Sequence, residues 1–455
     1  MSFQPLKGFR DFLPPDASNR ARVIASLRET ARRAGFEEVE TPSLESLELF
    51  KVKSGEGIVE ETFSFTDKGG REVTLVPENT PSVARLLVSR IKVEPLPVKW
   101  VAFCRLWRYE DPQSGRTREF SQCSLDIFGV PGVEAELELL ATASQMLEGL
   151  GLQGEFVFRL NDRRLLQGLS DALAVKVPEA FHRALDRREK LSPREFDQEL
   201  ERAGLSPEGR ERLGGLFDRA ERAPDGTAGF AEVRSELERW GLSEIGTEGL
   251  RTLEELYALG ERAGHAPTWR FDPSLVRGLA YYTGIVFEAY DRKGELRALF
   301  GGGRYDKLVE LFGGGSVPAC GLAIGDVRLE LLLRRRGRWP ERSDGLDVYV
   351  ATADGALREE ALTLVERLRR RGFSADRDLL GRPLARQMRD ASRRSSAFVV
   401  LLAPKEREQG SLILRNMRSG RQDVVPVASL EDALAAGRAA EGPRGPAGPD
   451  APSGA

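Results

Sequence analysis

The sequence predicts an α+β protein: an antiparallel sheet with flanking helices, broken by a helical insertion and followed by a small α/β domain. Residues 98–109 and 119–128 read as two strands joined by the polar turn DPQSGRTR. Residues 163–266 change to short, charged, helix-like segments rich in Arg, Glu and Leu, and strand-like segments resume after them. Beyond the hydrophilic stretch RRRGRWPERSDG, strand and helix patterns alternate, as in a small α/β domain.

In chain order, residues 17–34 carry Val23, Ile24, Leu27 and Ala31 at helical spacing and stop at Gly35. EVET before Pro42 reads as a short strand, and ETFSFTD and REVTLV as a hairpin turning over residues 68–70. Residues 81–94 and 133–150 are expected helices, and 155–161 a strand. Further strands are expected at 269–271, 285–290, 296–300 and 318–324, the last running into a helix from Asp326. The C-terminal alternation is strand LDVYVATA, helix 356–371, a strand, helix 383–394 and strand AFVVLLA. The expected domains are therefore 1–162 and 267–335 for the two parts of the sheet domain, 163–266 for the insertion and 346–434 for the α/β domain. The Gly/Pro/Ala-rich residues 435–455 are expected to be a disordered tail.

With 40% hydrophobic and 31% charged residues, the 455-residue chain reads as globular and long enough for more than one core. No stretch approaches the ~18 apolar residues of a membrane span, so no membrane partner is expected. The opening MSFQPLKGFRDFLPP has no apolar signal core, which points to the cytoplasm. Cys104, Cys123 and Cys320 lie far apart without a CxxC pair, and this argues against a disulfide framework or a thiolate metal site. His182 and His265 sit in polar, helix-like surroundings without candidate partners, so the chemistry falls to other residue types and no protein-held metal is expected. Charge is uneven: residues 346–422 hold 16 Lys+Arg against 10 Asp+Glu, a net of +6, which leaves −9 on the rest of a chain whose total is −3. A basic module on an acidic body suits a polyanionic partner, although a solvated Arg-rich helix face gives the same count.

Four segments carry candidate chemistry. In Trp107–Gln122, strand alternation puts Gln122, Ser124 and Asp126 on one face, a costly arrangement unless that face is wet or binds something polar. Arg108, Arg116 and Arg118 lie at one end of the same hairpin, and guanidinium forks match phosphate oxygens. Ordinary solvated arginines on a surface hairpin are the competing account. The glycine-rich GGGRYD, FGGG and PACGLAIGDVR contain neither a GK[ST] P-loop nor GxGxxG. Arg328 falls in the first turn of a helix, where a cation opposes the dipole; it either faces phosphate or pairs with Asp326 or Glu330. In LVRGLAYYTG, Arg277 suits a carboxylate and Tyr281 and Tyr282 a polar ring, against simple aromatic packing. In VPENTP, Glu78 suits an amino group, while Thr80 suits either the same site or a helix cap.

These segments, in order, resemble the histidine branch of the class II aminoacyl-tRNA synthetases. Gly8-Phe9-Arg10-Asp11, Gly35-Phe36 and Thr41-Pro42 resemble the family's opening and its dimer-forming first motif. Residues 108–122 resemble the second motif, 321–328 the third, and 275–284 the signature that marks histidyl enzymes. The resemblance covers roughly residues 1–430 and is weakest in the insertion. It implies a class II synthetase-like sheet followed by an anticodon-binding α/β domain. It also implies a homodimer that activates L-histidine with ATP, accompanied by Mg²⁺, and transfers the histidyl group to the 3′ end of tRNA(His).

Carried over residue by residue, the resemblance implies that Glu78 and Thr80 hold the histidine amino group. Gln122, Asp126 and Tyr282 line the imidazole pocket with Tyr281 beside it. Arg108 binds the α-phosphate, Arg328 the nucleotide, Glu110 the adenine and Arg116 the triphosphate; Arg277 stands at the reacting carboxylate and α-phosphate. Fixed arginines neutralise the two anions that must meet, so the chemistry requires no general base. Two positions depart from the common bacterial pattern, Ala280 where many members have Asp and Asp111 where many have Arg; Asp111 bears on how the second-motif loop reads the acceptor end. Two rivals remain. A non-catalytic regulatory relative of ATP phosphoribosyltransferase generally lacks the C-terminal domain and degrades the arginine set. A ligase with a non-tRNA acceptor makes the adenylate without needing a basic module.

Overall fold

A computed structural model describes residues 3–54, 56–277, 281–341 and 345–440. The chain forms two compact units, one of Met1–Asp11 and Ile24–Trp339, the other of Phe12–Val23 and Pro340–Ala455. Among the described residues, no helix is long and apolar enough to cross a membrane.

The first unit is built on an eight-stranded sheet. Its order is Glu37–Glu38, Val98–Trp107, Glu119–Phe128, Ala319–Gly325, Phe300–Arg304, Ile285–Asp291, Phe156–Asp162, Trp269–Phe271. The six inner strands pair antiparallel and only the two edge strands pair parallel. The ten-residue hairpin arms Val98–Trp107 and Glu119–Phe128 pair along their whole length, from Val98↔Phe128 to Trp107↔Glu119, and set apolar residues opposite one another on a buried face, as in the pair Val101 and Leu125. The helix Thr80–Arg90 supplies Val83, Ala84 and Leu87 to a core that also takes Trp100, Phe128, Tyr282 and Tyr305. A smaller antiparallel sheet pairs Leu44–Ser46 and Ser64–Thr66 with Glu72–Leu75.

Six helices, from Arg163–Ala172 to Glu244–Arg262, occupy the stretch between the strands Phe156–Asp162 and Trp269–Phe271. The first is capped by Asp162, whose carboxylate accepts the Arg164 amide at 2.8 Å. Ser192 and Glu195 form a capping box on Pro193–Arg202.

The second unit holds a five-stranded sheet in the order Ala375–Arg377, Val348–Thr352, Phe398–Leu402, Ser411–Asn416, Gln422–Pro426. Its first three strands are parallel, as the strand–helix alternation requires. The last two are an antiparallel hairpin that the sequence pattern did not reveal.

Three expectations change. The strand expected at 296–300 lies at Phe300–Arg304 and is mostly glycine. The start of the expected linker is anchored: the half-buried Arg336 donates to Glu155, Asp291 and Glu295. The helix Leu430–Ala440 runs into the expected disordered tail, because LAAGRAA favours helix; the rest of that tail lies outside the described residues.

Candidate active site

The strand Glu119–Phe128 sets Gln122 beside Gly325 and Asp126 beside Gly321 on the next strand, which in turn pairs Gly321 with Gly303 and Ala323 with Gly301. This small-residue floor is why side chains can lie flat across the middle of the sheet. A Cβ at Gly301 would stand 2.6 Å from the Phe287 carbonyl oxygen and 2.9 Å from both Arg277 Nη1 and Glu288 Cγ. A Cβ at Gly321 would collide with the Tyr305 hydroxyl and Asp126. Above the floor is a cavity of about 330 Å³.

Four arginines reach it. Arg108, just past the first hairpin arm, donates from Nε to the Pro77 carbonyl at 2.9 Å and stands 4.0 Å from Glu110. Arg116 pairs with Glu110 at 3.1 Å. Arg328, in the first turn of Asp326–Arg335, donates to the Ala298 carbonyl, while Asp326 and Glu330 take Arg10 instead. Burial, and then repulsion from Arg116, hold the Arg328 guanidinium below its ordinary value, so this end of the cavity carries positive charge that awaits an anion. Arg277 pairs with Glu288 at 2.6 Å, and its buried Nε has no partner among the described residues. Its φ of +58° is left-handed, costing about 1–2 kcal/mol for a residue with a Cβ. The surrounding structure holds it there: Asn161 donates to the Leu275 carbonyl at 3.0 Å and Arg163 to that of Val276 at 3.2 Å.

At the other end, Glu78, Thr80, Gln122, Tyr281 and Tyr282 line the cavity. Thr80 does not cap its helix; Asn79 is the N-cap residue, and its side chain accepts the Thr41 hydroxyl at 2.8 Å. The Gln122 amide donates to Ser124 at 2.7 Å. Tyr281 and Tyr282 both pack on the core and face the space, their ring centroids 4.7 Å apart.

A family model described as histidyl-tRNA synthetase matches residues 8–328, and one described as an anticodon binding domain matches residues 347–436. The histidine–tRNA ligase of Thermoplasma volcanium is 36% identical over 434 residues, covering 94% of this chain and 98% of that protein. That of Natronomonas pharaonis is 41% identical, covering 94% and 96%. The chain belongs to the histidyl-tRNA synthetase family. A crystal structure of histidyl-tRNA synthetase from Nostoc sp. PCC 7120 shares the fold with a TM-score of 0.80 at 23% identity, covering 96% of this chain and 99% of that one.

Within this histidyl-tRNA synthetase fold, Glu78, Thr80, Arg108, Glu110, Arg116, Gln122, Arg277, Tyr281, Tyr282 and Arg328 all border one space. Two residues fall elsewhere. Asp126 shares the face of Gln122 but does not border the cavity: it is buried, and its carboxylate accepts the Tyr305 hydroxyl. Burial drives its carboxyl up to about 7, against the pull of that hydroxyl. Arg118 turns from the phosphate end, donating to the Glu110 carbonyl at 3.1 Å and stacking 4.2 Å from the Tyr109 ring centroid. Tyr305 and Glu288 were missed. Their signals were present: a tyrosine two residues past the glycine run, and a carboxylate in the middle of the mostly apolar strand IVFEAYD. Of the histidyl signature, residues 278–280, including Ala280, lie outside the described residues.

Proposed function

We propose that this chain is a histidine–tRNA ligase that joins L-histidine to ATP, releases pyrophosphate, and passes the histidyl group to the 3′ end of tRNA(His). The observation that carries this reading is one cavity with a carboxylate, amide and tyrosine end for a small zwitterion and an arginine end for phosphate. A histidine carboxylate oxygen attacks the α-phosphorus, and the bond to the oxygen bridging the β-phosphorus breaks with its electron pair leaving on pyrophosphate. The attacking oxygen carries no proton, so fixed cations rather than a base lower the barrier. Arg277 spans the carboxylate and α-phosphate, Arg108 takes the α-phosphate, and Arg116 and Arg328 take the remaining nucleotide, with Glu110 at the adenine.

Glu78 and Thr80 hold the amino group. Gln122, Tyr281 and Tyr282 meet the imidazole, with Asp126 acting through Tyr305. Glu110 and Glu288 are already paired with arginines, so Mg²⁺ enters on the ATP phosphates as part of the substrate. Residues 346–434 read the anticodon, supported by their positive charge and by the match to an anticodon binding domain.

The chain works as a homodimer in the cytoplasm, formed through its N-terminal half. Leu44, Val52 and Phe65, on and beside the three-stranded sheet, leave 42%, 45% and 50% of their surfaces exposed, which suits a partner surface. A mass of 50.3 kDa in solution at micromolar concentration would contradict the dimer. Histidine-dependent ATP–pyrophosphate exchange, run beside tRNA charging, tests the activity. Exchange without charging supports a non-tRNA acceptor, and absence of both removes the ligase reading.

A further inference from the structure

We propose that Glu288 is the positioning residue for Arg277, and that Tyr290 and Arg159 tie its setting to Glu189 in the helical insertion. The proposal rests on the adenylate-forming reading above. Glu288 and Tyr290 stand two apart on the strand Ile285–Asp291 and so share a face. Both oxygens of Glu288 are held from different elements: Oε1 accepts Arg277 Nη1 at 2.6 Å and Oε2 accepts the Tyr290 hydroxyl at 2.8 Å. Arg159 lies directly opposite Glu288 on the neighbouring strand, its guanidinium 3.8 Å from the Tyr290 ring centroid.

Arg159 also reaches the backbone that carries Arg277. Its Nη1 donates to Asp272 at 3.3 Å, and Asp272 accepts the Ser274 amide and hydroxyl at 2.9 and 2.6 Å, at the entrance to that loop. The loop and the guanidinium of Arg277 are thus referred to one side chain. The same Nη1 donates at 2.6 Å to Glu189 on the one-turn helix Arg188–Lys190, whose side chain is 52% exposed. Contact with that exposed carboxylate is transmitted to the catalytic end. Gly301 leaves the room that the Arg277–Glu288 pair needs.

The test measures exchange kinetics of the full-length protein. Glu288→Gln should lower kcat about 10- to 100-fold, the scale of an ångström-level misplacement, with much smaller changes in KM for histidine and ATP. Tyr290→Phe deletes one hydrogen bond and should lower kcat about three- to tenfold, and Glu189→Gln about two- to tenfold. In an Arg277→Ala background, Glu288→Gln should add no further loss in single-turnover adenylation, because it acts only through Arg277. An active wild type with unchanged kcat in Glu288→Gln, or additive losses in the double variant, overturns the proposal. Unchanged kcat in Glu189→Gln cuts the link to the insertion and overturns that part. If Glu288→Gln fails to fold, Tyr290→Phe decides: wild-type kcat overturns the positioning role, and a selective kcat loss sustains it. A wild type without histidine-dependent exchange defeats the activity reading instead.

Discussion

The larger cavity of the first unit is not its candidate active site. It encloses about 650 Å³ between the helical stretch and the strand Trp269–Phe271, against about 330 Å³ over the glycine floor. Both contain four arginines, but the larger has five carboxylates and the smaller three. Every arginine of the larger cavity has a close carboxylate: Arg159 with Glu189 at 2.6 Å, Arg188 with Glu221 at 2.7 Å, Arg210 with Asp197 at 2.8 Å, Arg270 with Asp225 at 2.7 Å. In the smaller one, Arg328 donates to a backbone carbonyl and Arg108 does the same, with Glu110 no nearer than 4.0 Å, so less of their charge is compensated. A cavity marks a phosphate site by positive charge left over after internal pairing, not by volume.

The sharpest way to break that comparison is to remove a cation from each side of it. Arg277→Ala should slow adenylation about 10²–10³-fold, the loss typical of deleting a donor aimed at developing charge, while histidine affinity changes far less. Pre-steady-state adenylate formation beside equilibrium histidine binding separates the two; wild-type turnover would remove Arg277 from the chemistry. Next in size is Gly301→Ala. Its methyl would press on Arg277 Nη1 and the Phe287 carbonyl, so adenylation should fall about 10- to 100-fold, and stability by about 1–3 kcal/mol. Full activity with retained stability would show that the floor has slack.

The glycine floor also marks where the sequence was hardest to read. The two long hairpin arms were legible because their strand-like patterning and polar turn agree on one local answer. Phe300–Arg304 was displaced by several residues, since glycine is depleted in strands and its use here depends on Arg277 and Glu288 lying across it. The hairpin Ser411–Asn416/Gln422–Pro426 hid because its outer strand, QDVVP, is short and mostly exposed. At the site, the arginines and tyrosines were legible as residue types in short motifs. Their contacts were not, because Glu288 meets Arg277 and Tyr305 meets Asp126 only once the sheet has formed, and a local pattern does not say which side chains will meet. Asp126 was read from strand alternation as facing ligand; the alternation holds, but Tyr305 caps its carboxylate.

That buried pair gives a smaller, pH-dependent effect. Burial raises the Asp126 carboxyl from 3.8 to about 7, so folding favours its protonated form. The contribution is complete below the unfolded value and is lost as pH rises through the folded one. Wild type should therefore lose about 2–4 kcal/mol relative to Asp126→Asn over the interval from 3.8 to about 7. Urea unfolding of both proteins across this range checks the sign, and parallel curves would mean that Asp126 does not titrate there. Histidine affinity should fall by about 1 kcal/mol in Asp126→Asn, because the amide changes how the Tyr305 hydroxyl is held.

The smallest effect is expected in the larger cavity. Arg210 pairs with Asp197 at 2.8 Å and donates to the Leu205 carbonyl at 2.9 Å, but the Asp197 side chain is 57% exposed. Water screens such a pair, so Arg210→Gln should cost about 0.5–1 kcal/mol of stability. Its charge is spent inside the cavity and is not offered to an anion, so pyrophosphate exchange should stay within about twofold of wild type, on the scale of a surface change. The contrast with Arg277→Ala tests whether the two cavities differ in function, since both substitutions remove one carboxylate-paired guanidinium from a cavity wall. If Arg210→Gln slowed exchange as much as Gly301→Ala does, internal pairing would not separate the two cavities, and the larger one would have to be counted as part of the reacting site.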